Sequence, residues 1–528
     1  MHRLLGEVLS RAIPDGYCLT CAVKPATWAE TATPQRVFCH ESCQADYHRL
    51  IQAWVQLGGK TAAGEFINDA EALQIFALPE DLQLLILRLR YPYCETDEYQ
   101  FLLLTRWIYV DRYGGQMVRR FFAHMTGLPP KIDRLLTYRQ VHLFPRLQRL
   151  NLATANATID DEALASLSQM RTLVLNTNRL ITSHGVSRLV NLVSLSLAGN
   201  EQIDDACLRA LPALTELNLE TNAVITDGGV MRLTNLTALG LKGNTTVTGV
   251  CFVFLAKLTT LRLDHCRSVT SAALATVTGL TTLTLSGVNQ IDANCLASLT
   301  KLTTLSLSAN ERDLSGGLRA LTGLTNLNMA YCNMVAYNDT LPFLTGLVVL
   351  DVSRNIAIDS ETLGHLTSLT TLYSPSQLSG AALRQLVNLR TVHLQNTLSI
   401  TDADLSALHG LTRLVLGHNK SITDRGLASL TNLEKLDLKE NTVITDAALH
   451  HLPALTSLVL TGNKRITDAG LRAVSGLQRL SLQQNYKITT LGLQALPHLQ
   501  VLTISEGRVT QELLEALPQQ CRIRETRW

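Results

Sequence analysis

The sequence predicts an α/β solenoid. It should have about seventeen coils of about 22 residues, each giving one short strand to a parallel, concave sheet, behind a small N-terminal zinc-binding and α-helical region. Three observations carry this expectation. Leucine supplies 100 of the 528 residues while Phe, Trp and Tyr together supply 26, the bias of one small unit used many times. Eighteen of those 26 aromatics precede Leu147, so the chain changes character there. From Leu147 onward the phrase Leu-x-x-Leu-x-Leu-x-x-Asn returns at a nearly constant spacing.

Length and charge narrow the possibilities further. At roughly 150 residues per domain the chain would hold three or four domains, but a repeat array replaces that count. With 46% hydrophobic residues a large core is available and disorder is excluded. Forty-six Lys and Arg stand against 44 Asp and Glu, and the net charge of +2 gives no basic excess for nucleic acid or an anionic membrane. Residues 1–146 and 147–528 each sum to +1, so the two regions differ in architecture rather than electrostatics. No apolar run approaches the roughly 20 residues that span a bilayer, and the N-terminal Met1-His-Arg3 stretch makes a poor signal peptide. Eleven cysteines, an odd number scattered along the chain, predict reduced thiols in a soluble protein of the cytoplasm or nucleus, of a host cell if the chain is a viral or bacterial effector.

The repeat phrase begins at Leu147, Met170, Leu192, Leu214, Leu236, Leu258, Leu280, Leu302 and Leu324, then at Leu347, Leu369, Leu389, Leu411, Leu433, Leu455, Leu477 and Leu499. The spacing of 22 is broken only by 23, 23 and 20. In Leu455-Thr-Ser-Leu458-Val-Leu460, alternation turns Leu458 and Leu460 inward and Ser457 and Val459 outward, as in a strand. One coil cannot bury its leucines alone, whereas a stack can. Asn463 and its equivalents Asn156, Asn178, Asn200, Asn222, Asn244, Asn310, Asn355, Asn419, Asn441 and Asn485 fall where the chain leaves the strand, so their amides can satisfy backbone groups there. Cys266 and Cys332 share that slot, and Cys207, Cys251 and Cys295 fall at a small-residue position; all five read as buried packing groups. Many coils add a second phrase such as Ile444-Thr-Asp446. Over some 380 residues the chain resembles the leucine-rich-repeat family.

Seventeen strands at roughly 4.8 Å each would present a face about 80 Å long, suited to a macromolecule. Much of it is small and hydroxylic, as at Ser194, Thr282 and Ser306, and such residues make few hot spots. The candidate partner-binding residues are Arg262, Asp264, His265, Tyr331, Asp351, Arg354, Tyr373, His393, Lys435 and Lys439. The coils from Leu324 to Leu389 depart from the pattern at Asn333–Tyr337 and Ser374–Gln377, either as drift in a tolerant repeat or as a break used by a partner. Asp264-His265-Cys266 has the residue types of a nucleophilic triad, but the repeat itself dictates their order, so no enzyme is expected.

The N-terminal region carries two further patterns. Cys18-Leu-Thr-Cys21 and His40-Glu-Ser-Cys43 offer four soft ligands in two close pairs, the arrangement of a closed structural zinc site, with Cys39 or the more distant His48 as substitutes for His40. The spacing is similar to one zinc module of the LIM or PHD type. Leu78-Pro79 opens a helix with Glu80 and Asp81 in its first turn and an apolar stripe of Leu82, Leu85, Ile86 and Leu89; a second apolar helix runs from Phe101 to Trp107. This resembles an F-box. The resemblance implies that Leu78, Pro79, Leu82, Ile86 and Trp107 face a Skp-type linker subunit, and that the chain serves a cullin ubiquitin ligase as substrate receptor. Arg90 and the long acidic Tyr91–Glu98 segment depart from the F-box pattern, and a helical cap closing the first coil would use the same apolar stripe. Cys94 lies beside acidic residues that would disfavour its thiolate, which argues against a thiol enzyme.

The expected organisation is therefore a zinc module at 1–60, an F-box-like or capping helical region at 61–146, a solenoid at 147–510 and a C-terminal cap at 511–528. The expected function is an adaptor that holds a protein target on the repeat face, as a ligase receptor or as a scaffold without a ligase.

Overall fold

A computed structural model describes residues 141, 144–153, 159–332, 337–397, 399–518 and 521–526, together with the backbone of two short strands at Trp28–Ala29 and Val37–Phe38. Those two strands pair antiparallel, Trp28 opposite Phe38. The chain divides into two compact units, residues 1–218 with 223–225 and residues 219–222 with 226–528.

In the first unit the strands Arg149–Asn151, Thr172–Val174, Ser194–Ser196 and Glu216–Asn218 pair in parallel, each with the next in sequence. In the second, fourteen strands from Ala238–Gly240 to Arg522–Thr526 follow the same rule. The register is set by the leucines: Leu414, Leu436, Leu458, Leu480 and Leu502 are mutual neighbours and all buried. A one-residue slip would turn every one of them to the opposite face, so the pairing is tightly specified. This is the expected leucine-rich-repeat solenoid fold.

Two polar ladders run between many of the coils. Asn463 is fully buried; its Nδ2 donates to the Asn441 carbonyl at 2.9 Å, and its Oδ1 accepts from the Arg465 and Ile466 amides at 2.9 and 3.0 Å. Asn200, Asn244, Asn419, Asn441 and Asn485 do the same in their coils, as the repeat phrase led one to expect. Where Val288 occupies the slot, Gln290 reaches back instead, its Nε2 donating to the Cys266 carbonyl at 2.7 Å. The Ile-Thr-Asp phrase builds the second ladder. Ile444 is buried and Thr445 caps the four-residue helix Asp446–Leu449; Asp446 then accepts from the Thr467 amide at 2.8 Å and the Thr467 hydroxyl at 2.6 Å in the next coil. Asp161, Asp227, Asp402, Asp424 and Asp468 repeat this link to Thr182, Thr248, Thr423, Thr445 and Thr489.

The segment after the repeats, expected as a C-terminal cap, contains a further helix and strand. After the helix Gln511–Ala516, the strand Arg522–Thr526 continues the parallel sheet beside Val501–Ser505. Its residues read Arg-Ile-Arg-Glu-Thr, with one aliphatic side chain. The five array thiols are buried as expected: Cys207, Cys251, Cys266, Cys295 and Cys332 are each at most 5% exposed and form no disulfide. Among the described residues no helix is long and apolar enough to cross a membrane.

Candidate functional site: the strand face

Each three-residue strand buries its middle residue, a leucine in all but Thr391–His393, where it is Val392, and turns its first and third residues to the opposite side, so register aligns these positions into rows. Through the second unit the first-position row reads Ala238, Thr260, Thr282, Thr304, Asn326, Val349, Thr371 and Thr391, then Arg413, Lys435, Ser457, Arg479, Val501 and Arg522. The third-position row holds Arg262, Thr284, Ser306, Asn328, Asp351, Tyr373, His393, Val415 and Asp437 in the same order.

The candidate residues fall into three places on this face. Arg262 is exposed, whereas Asp264 is engaged by the next coil, accepting from the Thr284 hydroxyl at 2.5 Å and the Ser286 amide at 3.0 Å. His265, Tyr331 and Arg354 share one structural slot immediately before the asparagine position, with φ of 57°, 62° and 58°. Gly199, Gly243, Gly287 and Gly462 occupy that slot elsewhere with the same left-handed turn, which the chain needs to leave the strand. The slot points side chains outward: Tyr331 is 55% exposed.

The second group is contiguous. Asp351, Tyr373 and His393 are neighbours in register, and the rings of Tyr373 and His393 stack. Asp351 accepts from the Ser353 amide at 3.0 Å. His393 is held neutral: burial, and then the positive charge of Arg413, push its pKa down to about 4, against a smaller upward pull from Asp351. Its Nε2 is buried without a hydrogen-bond partner among the described residues.

The third group lies two strands further on. Lys435 is exposed at the first position of its strand, and the Lys439 amide donates to Asp437 Oδ1 at 2.8 Å. Burial raises the Asp437 pKa above the ordinary carboxylate value, opposed by its hydrogen bond from Lys439 and by the charges of Lys439, Arg413 and His418. Between the second and third groups the face is small: Val415 and Gly417 are buried beneath their neighbours. Reading the phrase one coil at a time missed Arg413, Arg479 and Arg522; reading down the column of first positions would have found them.

Elsewhere the hydroxyl-rich part of the face satisfies itself. Ser286 and Ser306 hydroxyls lie 3.1 Å apart, and Thr461, Ser481, Gln483 and Thr526 form one connected network. No group of three or more His, Cys, Asp or Glu among the described residues is placed to hold a metal ion. Cys18, Cys21, His40 and Cys43, their substitutes Cys39 and His48, the F-box-like Leu78, Pro79, Leu82, Ile86 and Trp107, and Cys94 lie outside the described residues.

Comparison with known proteins identifies the repeat type. Residues 409–464 match the model of the leucine rich repeat, and residues 201–318 match that of the BspA type leucine rich repeat region. Among solved structures, the chain is similar to TLR13 in its complex with ssRNA13, at 22% identity and a TM-score of 0.52, covering 72% of this chain and 59% of that one. It is also similar to an internalin, InlF, from Listeria monocytogenes (26% identity, TM-score 0.36, 71% of this chain and 95% of that one). A leucine-rich-repeat protein of Leptospira interrogans, LIC12759, matches at 20% identity and a TM-score of 0.43, over 76% of this chain and 94% of that one. The chain thus spans less than two thirds of the TLR13 chain. No curated protein matches significantly.

Proposed function

Because the chain is a leucine-rich-repeat protein, we propose that it is a non-enzymatic adaptor which holds a protein target on the strand face of its repeats. The observation that carries this reading is the in-register arrangement of Asp351, Tyr373 and His393 beside exposed Arg413 and Lys435. An otherwise uniform face is there differentiated by stacked rings and charges of both signs, the residue types that dominate protein recognition.

In the fuller form of the proposal the adaptor is the substrate receptor of a cullin-type ubiquitin ligase. Leu78, Pro79, Leu82, Ile86 and Trp107 would contact a Skp-type linker subunit, a role supported by the F-box resemblance alone. Cys18, Cys21, His40 and Cys43 would hold one structural zinc ion, a role supported by ligand types and spacing. With four protein ligands such an ion has no open position for substrate. It would hold the N-terminal segment together rather than take part in chemistry.

Affinity purification of the full chain from host cells, followed by mass spectrometry, tests the proposal. Skp-type and cullin subunits should co-purify, and the Leu78→Ala, Pro79→Ala double variant should lose them while retaining proteins bound to the repeats. Recovery of repeat-bound proteins with no Skp-type subunit would leave a scaffold without a ligase. Recovery of neither would overturn the adaptor reading. Metal analysis of the purified chain should find zinc, lost in Cys18→Ser, Cys21→Ser.

A further inference from the structure

We infer that Arg413, Lys435, Arg479 and Arg522 form a docking strip for an acidic, extended segment of the partner protein. The inference deepens the adaptor reading and rests on it. In the second unit the first-position row is uncharged for eight successive strands, Ala238 to Thr391, and then four of its last six residues are cations. None is acidic. Glu434 and Asp437, the nearest acidic residues in sequence, lie outside the row.

The fold does not ask for these charges. All four side chains are exposed, and none is in an ion pair with a described carboxylate. Arg413 and Lys435 are direct cross-strand neighbours, a like-charge pairing that disfavours the sheet. Threonine fills the equivalent position in five earlier coils of the same unit. Arg413 is near enough to the half-buried Asp437 to lower its pKa but forms no ion pair with it, and exposed charges so placed are matched by a ligand of opposite sign.

Spacing and surroundings specify that ligand. At about 4.8 Å per strand, Arg413 and Lys435 are one step apart, and Arg479 and Arg522 follow at two steps each, about 24 Å in all. An extended peptide laid across the strands advances about 3.3 Å per residue, so carboxylates at every third residue would meet the two-step intervals. A single-stranded nucleic acid would also carry the charge, but it needs rings on which its bases can stack. The rings of Tyr373 and His393 adjoin the strip at its Arg413 end, but the third-position row from Val415 onward, which continues through Asp437, Val459, Ser481, Thr503 and Arg524, holds none. The observations therefore favour the acidic peptide.

Fluorescence anisotropy on the full chain tests this, with a labelled peptide of about eight glutamates, long enough for ~24 Å of extended chain. A glutamine peptide of the same length and an oligothymidylate of equal charge serve as comparisons. The glutamate peptide should bind more tightly than either, and more weakly as salt rises. The triple variant Arg413→Glu, Lys435→Glu, Arg479→Glu should weaken it at least about tenfold, with an unchanged thermal melt. The control Thr260→Glu, Thr282→Glu should leave it within about twofold, because it adds acid at a distant part of the same row. Should the triple variant misfold, Arg413→Gln with Arg479→Gln is used in its place. Equal binding by wild type and variant, no binding of the glutamate peptide, or tighter binding of the oligothymidylate overturns the inference. Any of these results leaves capture of a Skp-type subunit by the wild type untouched, so the two readings fail separately.

Discussion

The ring of Tyr373 lies against that of His393, with centroids 4.2 Å apart and planes tilted by 30°. Parallel register places them on adjacent strands at the third position, where both side chains stand on the same side of the sheet. The stack removes one face of the imidazole from water, and Arg413 is close enough to disfavour a second positive charge.

The consequence is a pH dependence with a definite sign. The folded His393 titrates near 4, below its ordinary value of 6.5, so the unfolded chain takes up a proton that the folded chain refuses. This group's contribution to stability is complete above pH 6.5 and is lost as the pH falls toward 4. Asp437, raised by burial, acts with the opposite sign, and the comparison must therefore be made between variants. The urea midpoint of the wild type should fall more between neutral pH and pH 4.5 than that of His393→Phe, by about the shift a single titrating group can give. Identical pH profiles would show that the imidazole is not held neutral.

The asparagine ladder makes a paired prediction. Asn463→Ala strands the Asn441 carbonyl and the Arg465 and Ile466 amides in the interior, and should cost about 2–4 kcal/mol in urea unfolding. Thr397 fills the same slot in its coil, is fully buried, and has a hydroxyl with no partner among the described residues. Thr397→Val keeps its shape and removes only that hydroxyl, so it should be neutral or stabilising by up to about 1 kcal/mol. Equal losses at the two positions would mean that the ladder contributes volume rather than hydrogen bonds.

The array thiols should be inert. Burial and nearby aspartates push Cys207 and Cys295 up to about 12 and raise Cys251 further, and burial also raises Cys332. The thiolate is the reactive form. In a Cys-mapping experiment at pH 8 with an aromatic disulfide reagent, these four should stay unlabelled until denaturant is added, while the less buried Cys521 reacts sooner. Rapid native labelling of Cys207 or Cys295 would contradict the burial of their coils.

Much of this molecule was legible before any coordinate. The period of the leucines, with alternation inside each phrase, dictates strand, register and core, because a coil that cannot bury its own leucines must stack. The asparagine slot and the buried cysteines follow from the same logic. The irregular coils were visible too, at Ser374–Gln377, where the ladder slot is lost and Thr397 in the next coil is left with an unmatched hydroxyl.

What the sequence could not decide is anything that depends on side chains from different coils meeting. Asp264 reads as a free carboxylate until the neighbouring coil supplies Thr284 and Ser286, and His393 reads as an ordinary histidine until Tyr373 covers it. Arg413, Lys435, Arg479 and Arg522 are separated by 22 to 44 residues and become one line of charge only when the strands align. The repeat is local in sequence and so determines itself. The face is a property of many coils at once, and only their stacking brings it into being.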